Sequence, residues 1–318
     1  IIPQFEPYVT NWMTFNEPGV EGLEREIRMK FPNGKGSIQA ASDLMQNILL
    51  AHYAVYKKLK AKFPDLNIGI THQWLRFVPA NDYNLIERIV CFVLSCLTHY
   101  SVFYCLKTGV FQIPFLANTR LWKGKAPFDF IGVQTYGLPV LKIGFGSGDE
   151  PGEITGESKK YKIPGLNYFF IIGPTCKDKG GKVSGFGTPY APQDLQPVLE
   201  EARELKVPVA ITETGCDARV QSWGEKIAKI DENAQKEYFQ RIFKILTRFK
   251  LKGLFIWTLF QNQLEWENGT KKNRLGLMAD TKKYNGTIKK IDLSPAAKYI
   301  QNIFRKMCEF KSIQPIRV

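Results

Sequence analysis

Two glutamates carry the clearest chemistry in this sequence. Glu17 stands in Thr14–Pro18 (TFNEP) and Glu213 in Ile211–Gly215 (ITETG), each directly after a short apolar run that reads as a β-strand. Hydrolysis of a glycosidic bond uses such a pair. One carboxylic acid protonates the departing oxygen while the other carboxylate attacks the anomeric carbon, and a separation of about 5 to 5.5 Å permits the covalent route. Taken alone, either residue could equally be a helix cap or half of a surface ion pair. The pair has meaning only if the fold brings the two strand ends to one place.

The elements between them supply such a fold. A β-type run around Trp12 to Phe15 ends in Asn16-Glu17-Pro18, where the proline marks the exit into a loop. From Ser37 to Phe63, Leu44, Ile48, Ala51, Val55 and Leu59 recur in helical steps that predict one buried stripe. Strands are predicted at Leu66 to Thr71, Phe128 to Val133, Val209 to Ile211 and Gly253 to Trp257, with helices at about Gln193 to Leu205, Asp231 to Phe249 and Ser294 to Phe310. The Gly-, Pro- and Lys-rich stretch that runs to about Pro192 reads as a long functional surface loop. Strand and helix alternate, which calls for a parallel sheet covered by helices. Five strand–helix units are present, three fewer than a closed eight-stranded barrel needs.

Composition narrows the function classes. The formal charge of +14 would suit an acidic partner, but its lysines are scattered in short pairs such as Lys57-Lys58 and Lys289-Lys290, with no arginine-rich run. A solvated basic surface is expected, and no nucleic-acid partner. Six cysteines, at positions 91, 96, 105, 176, 216 and 308, include no CxxC pair and no metal-type spacing with histidine. Ile89 to Leu106 holds no Asp, Glu, Lys or Arg, and its length borders on that of a membrane span. Ser95, Thr98, His99 and Ser101 interrupt it, so a buried helix is expected, and no membrane association. The NGT sequons at Asn268 and Asn285 matter only in a secreted chain, and with no visible signal peptide a cytoplasmic location is expected.

TFNEP after one strand and ITETG after a later one resemble, in that order, the two signature sequences of glycoside hydrolase family 1, the retaining β-glycosidases. The resemblance extends to IGVQTYG (Ile131–Gly137) and to LFIWTLFQNQLEWENG (Leu254–Gly269), and so covers nearly all of the chain. It implies an α/β fold of the (β/α)8 TIM-barrel type, incomplete at its amino-terminal end, with residues 1–318 forming a single, partial glycosidase barrel domain. It also implies Glu17 as acid/base and Glu213 as nucleophile, with Tyr136 hydrogen-bonded to Glu213. Asn16 would bind the sugar's 2-hydroxyl, Trp257 would form the apolar floor, and Glu265 and Trp266 would bind hydroxyls.

The implied substrate is a small β-linked glucoside or galactoside, non-phosphorylated because a Glu-Trp pair is present, and the implied chemistry needs no metal or organic cofactor. The sequence departs from the family pattern in several places. Thr214 and Gln134 each replace an asparagine, the stretch from Trp257 to Glu265 is one residue longer, Leu275 stands where an aromatic is common, and the family's first three strand–helix units have no counterpart before Ile1. The alternative is a non-catalytic sugar-binding or structural remnant of a β-glycosidase. Oligomeric state is not legible.

Overall fold

The computed structural model of the protein describes residues 2–27, 29, 34–146, 159–162, 169–175, 182–184, 190–222, 229–259, 276–280 and 291–311. Its centre is a parallel sheet of four strands: β1 (Asn11–Met13), β2 (Asn67–Gln73), β3 (Phe130–Thr135) and β4 (Val209–Thr214), whose spatial order follows chain order. In-order pairing of parallel strands is the signature of a barrel wall, since doubly wound sheets reverse direction partway. Trp12 pairs with Ile68, Ile70 with Ile131, and Ile131 with Val209.

A fifth segment lies parallel beyond β4. Lys252 N donates to Val209 O and Ile211 N to Gly253 O, Phe255 N returns to Ile211 O, and Leu254 bridges Ile211. The segment expected as a strand from Gly253 to Trp257 therefore occupies the fifth wall position. Together the five make an open (β/α)8-type half-barrel.

The helices begin where capping chemistry starts them. Ser37 Oγ accepts from Ala40 N to open α1 (Ile38–Lys62), Asn84 Oδ1 accepts from Ile86 N and Glu87 N to open α2 (Leu85–Ser95), and Asp231 accepts from Ala234 N before Glu232–Leu246. A π-helical turn at Cys96–Tyr100 joins α2 to α3 (Ser101–Thr108). Leu85–Thr108 is long and apolar enough to cross a membrane, yet 61% of its most apolar window is buried inside the fold, which makes it mainly a core helix. Helix α4 (Leu195–Arg203) and the helices Glu232–Leu246 and Pro295–Lys311 cover the later strands.

Two expectations are corrected. The buried stripe of α1 is Ala41, Met45, Leu49 and His52, one step round the helix from the predicted one, and Val55 is exposed. Thr14 Oγ1 lies 2.7 Å from His52 Nδ1, and this polar contact from β1's exit helps to turn the helix. The stretch expected as a loop carries antiparallel strands instead. Val140–Gly146 pairs with Phe169–Thr175, which pairs with Lys159–Lys162, while Val78–Pro79 adds to Val140 and Leu141. Its apolar runs find partners far along the chain, and a local composition rich in Gly and Lys hides that pairing.

Behind β2, between sheet and helices, lies a buried polar group. His72 Nε2 meets His99 Nδ1 at 3.1 Å, His99 Nε2 lies 3.3 Å from Glu201 Oε2, and Trp74 Nε1 donates to the same oxygen at 3.0 Å. Burial lowers the pKa of both histidines, and that of His52 falls to about 4 for the same reason. Cys91, Cys96, Cys105 and Cys216 are buried free thiols.

Candidate active site

The chain leaving β1 stays hydrogen-bonded to β2. Thr14 N donates to Gly69 O, Thr71 N to Phe15 O, and Glu17 N to Thr71 O. Glu17 then adopts φ 45°, ψ 63°, a left-handed conformation that costs a non-glycine residue about 1 to 2 kcal/mol. Such a cost persists at sites where geometry has a use. Pro18 opens the short helix Pro18–Glu21, and Gly19 packs so tightly that an added Cβ would sit 2.0 Å from Thr98 O. The backbone on both sides of Glu17 is thus fixed. Burial raises its carboxyl pKa to about 8, with further contributions from the nearby charges of Glu213 and Glu21.

Glu213 is aimed by a bulge. Between Ile211↔Val133 and Glu213↔Gln134 the register of β4 slips by one residue, so Glu213 rather than Thr212 stands opposite Gln134. Both carboxylate oxygens then have donors, Gln134 Nε2 to Oε1 at 2.5 Å and Tyr136 Oη to Oε2 at 2.6 Å. The same Gln134 nitrogen donates to Asn16 Oδ1 at 2.9 Å, which ties the residue beside Glu17 to Glu213. The two glutamates stand at the ends of β1 and β4, with β2 and β3 between them in the sheet, and lie within electrostatic reach of each other.

Trp257 is held beside them by backbone contacts. Its N donates to Thr214 O, its peptide bond to Thr258 is cis, and an added Cβ on Gly215 would lie 2.1 Å from its carbonyl oxygen. Gly215→Ala should therefore lower stability by about 2 to 3 kcal/mol. Gly253→Ala, whose nearest neighbour would be an ordinary 3.4 Å away, should change it by less than about 1 kcal/mol. Urea unfolding of both variants checks this, and equal losses would contradict the packing argument.

Of the residues singled out in the sequence, Glu17, Glu213, Asn16, Tyr136 and Trp257 lie at this mouth, whereas Glu265 and Trp266 fall outside the described residues, as does Leu275. Sequence reasoning passed over Thr71, whose Oγ1 lies 2.8 Å from Asn16 Oδ1 and 3.0 Å from Phe15 O, with the shorter contact the better place for its single hydroxyl proton. Its signal was a hydroxyl at the end of the predicted strand Leu66 to Thr71. Among the described residues, no group of three or more His, Cys, Asp or Glu is arranged to hold a metal ion.

Comparison with known proteins bears on family and fold. Residues 1–103, which include Glu17 and its strand, match the sequence model of glycosyl hydrolase family 1. The chain is related to glycosyl hydrolase family 1. Over 313 residues it is 25% identical to a 6-phospho-β-galactosidase of Clostridium acetobutylicum, covering 89% of this chain and 64% of that one. Over 295 residues it is 25% identical to β-glucosidase A of Thermotoga maritima, covering 87% and 60%. It thus spans less than two thirds of the length of these family 1 relatives.

Among solved structures, it superposes on a psychrophilic β-glucosidase from Micrococcus antarcticus with a TM-score of 0.70, at 18% identity, over 96% of this chain and 67% of that one. A β-glucosidase from Exiguobacterium marinum gives 0.69 at 15% identity, over 96% and 67%. These likenesses establish the barrel fold.

Proposed function

We propose that the protein is a retaining β-glycoside hydrolase acting on β-linked glucosides or galactosides, with residues 1–318 folding as one domain. The observation that carries this reading is the pairing at the mouth. Glu17 keeps its proton to about pH 8, beside a Glu213 whose two oxygens are both held by donors. A protonated acid next to a fixed carboxylate is what double displacement requires.

Glu17 protonates the departing oxygen as Glu213 Oε attacks the anomeric carbon, forming a glycosyl ester. One of the causes that raise Glu17's pKa then lapses, because esterified Glu213 is neutral. Glu17, deprotonated by its first step, takes a proton from a water whose oxygen attacks the anomeric carbon, and the ester bond breaks to return Glu213 as carboxylate and release the sugar with its configuration retained. Asn16 donates to the 2-hydroxyl, Tyr136 holds Glu213, and Trp257 lies under the ring. Glu265 and Trp266, carried by the sequence resemblance, bind hydroxyls at the far side. The similarity to a 6-phospho-β-galactosidase leaves phosphorylated sugars as a comparison for the assay rather than the leading substrate.

The test combines turnover with trapping. The purified chain should release nitrophenolate from p-nitrophenyl β-glucoside or β-galactoside, and a 2-deoxy-2-fluoro glycoside with a good leaving group should leave a glycosyl adduct on the peptide carrying Glu213. A well-folded chain giving neither product nor adduct would establish the non-catalytic alternative.

A further inference from the structure

Asn16 is exposed at the mouth, and its side-chain oxygen is engaged twice, by Thr71 Oγ1 at 2.8 Å and by Gln134 Nε2 at 2.9 Å. Among the described residues Asn16 Nδ2 has no acceptor. The direction of these bonds is set from Glu213. An ionised carboxylate only accepts, so the Gln134 atom that meets Glu213 Oε1 has to be the NH2 group. That nitrogen's second hydrogen faces Asn16, which has to answer with its oxygen. Asn16 Nδ2 is therefore the atom left to face a ligand.

The arrangement has a visible cost. Gln134 is 1% exposed, and its Oε1 is buried without a hydrogen-bond partner. Turning the amide over would relieve nothing, because its carbonyl would then face the Glu213 carboxylate. The asparagine of the family pattern, shorter by a methylene, would not have the same reach to both Asn16 and Glu213.

We propose that Gln134, assisted by Thr71, is a positioning residue that fixes Asn16 as a one-way donor, so that the 2-hydroxyl contact implied by the family resemblance depends in this chain on a glutamine standing where the family has an asparagine. This rests on the glycosidase reading for its ligand but concerns the aim of Asn16 rather than bond cleavage. A 2-hydroxyl or 2-fluoro substituent satisfies the donor. A 2-deoxy sugar leaves it unpaired, and a 2-ammonium group repels it.

The experiment uses titration calorimetry with phenyl 1-thio-β-glucoside and its 2-deoxy counterpart, chosen because an inert sulfur linkage reports binding whether or not the chain turns over. The unchanged chain should prefer the 2-hydroxy ligand by about tenfold, the worth of one well-aimed hydrogen bond. In Gln134→Asn that preference should fall below about threefold, while affinity for the 2-deoxy ligand stays within about twofold. A merely structural role would weaken both ligands alike, and that result, or an unchanged preference, overturns the proposal. Thr71→Val, which removes the other donor, should reduce the preference in the same direction and serves if the first variant folds poorly. Failure of each reading is distinguishable. Loss of preference in Gln134→Asn without turnover by the unchanged chain leaves the positioning intact and refutes the hydrolase. Turnover with an unaltered preference does the reverse, and absence of binding by either ligand overturns the positioning.

Discussion

A Glu213→Gln chain is expected to lose turnover of p-nitrophenyl β-glucoside by about 10⁴-fold or more, because an amide oxygen cannot form the glycosyl ester. The loss should fall on kcat, with KM little changed, since the exchange keeps the shape of the group. It should also cost stability. Gln134 Nε2 and Tyr136 Oη both donate to Glu213, and a glutamine has only one oxygen to receive them. One donor then faces an NH2 group, a mismatch worth about 1 to 3 kcal/mol when buried. Steady-state kinetics and urea unfolding of the variant measure both effects, and retention of activity within tenfold would remove Glu213 from the reaction.

The second large effect belongs to Glu17 and depends on pH. Its carboxyl is raised to about 8 in the folded chain, from 4.5, chiefly by burial. The folded state therefore keeps a proton that the unfolded state releases. Its contribution to stability is fully present below about pH 4.5 and is lost as pH rises toward 8. Glu17→Gln cannot ionise. It should match the unchanged chain near pH 4 and exceed it at pH 8.5 by about 3 kcal/mol, after allowance for the group's partial exposure.

Activity should move the other way. Glu17→Gln should lose about 10²- to 10⁴-fold on glycosides with poor leaving groups and much less on activated ones, and the decline in kcat/KM above about pH 8 should disappear. An equal stability difference at both pH values would show that the carboxyl ionises normally. Because burial outweighs Glu213 among the causes, Glu17 should also remain an elevated base in the glycosyl-enzyme, close to the pH at which it must work.

The sequence carried much of this site because strand ends leave local marks. Pro18 opens the helix after Glu17 and Gly215 leaves room for the Trp257 backbone, and such residues are readable one at a time. The bulge that separates Ile211 from Glu213 is not. It exists only in the pairing of β4 with β3, so nothing near Thr212 announces it. Gln134 stood out as a departure from the family's asparagine, but its double donation depends on two residues that are distant in sequence. The stripe of α1 failed for a related reason. That helix carries apolar residues on two adjoining faces, and hydrophobicity alone would turn Val55 inward, whereas a buried His52 meeting Thr14 turns the helix the other way. The strands between Val140 and Thr175 were hidden because Val140–Gly146 pairs with Phe169–Thr175 across a long interval that includes the glycine- and glutamate-rich residues 147–158.

The chain's three histidines have a consequence for counting protons. Histidine is ordinarily the side chain that exchanges protons between pH 5 and 8, and a difference curve is then a sum of several overlapping groups. Here His52, His72 and His99 are all buried in the core, and burial lowers the pKa of each, that of His52 to about 4. Subtracting the potentiometric curve of the Glu17→Gln chain from that of the unchanged one should therefore leave a single proton, released near pH 8, whose departure reports the acid group without any substrate present.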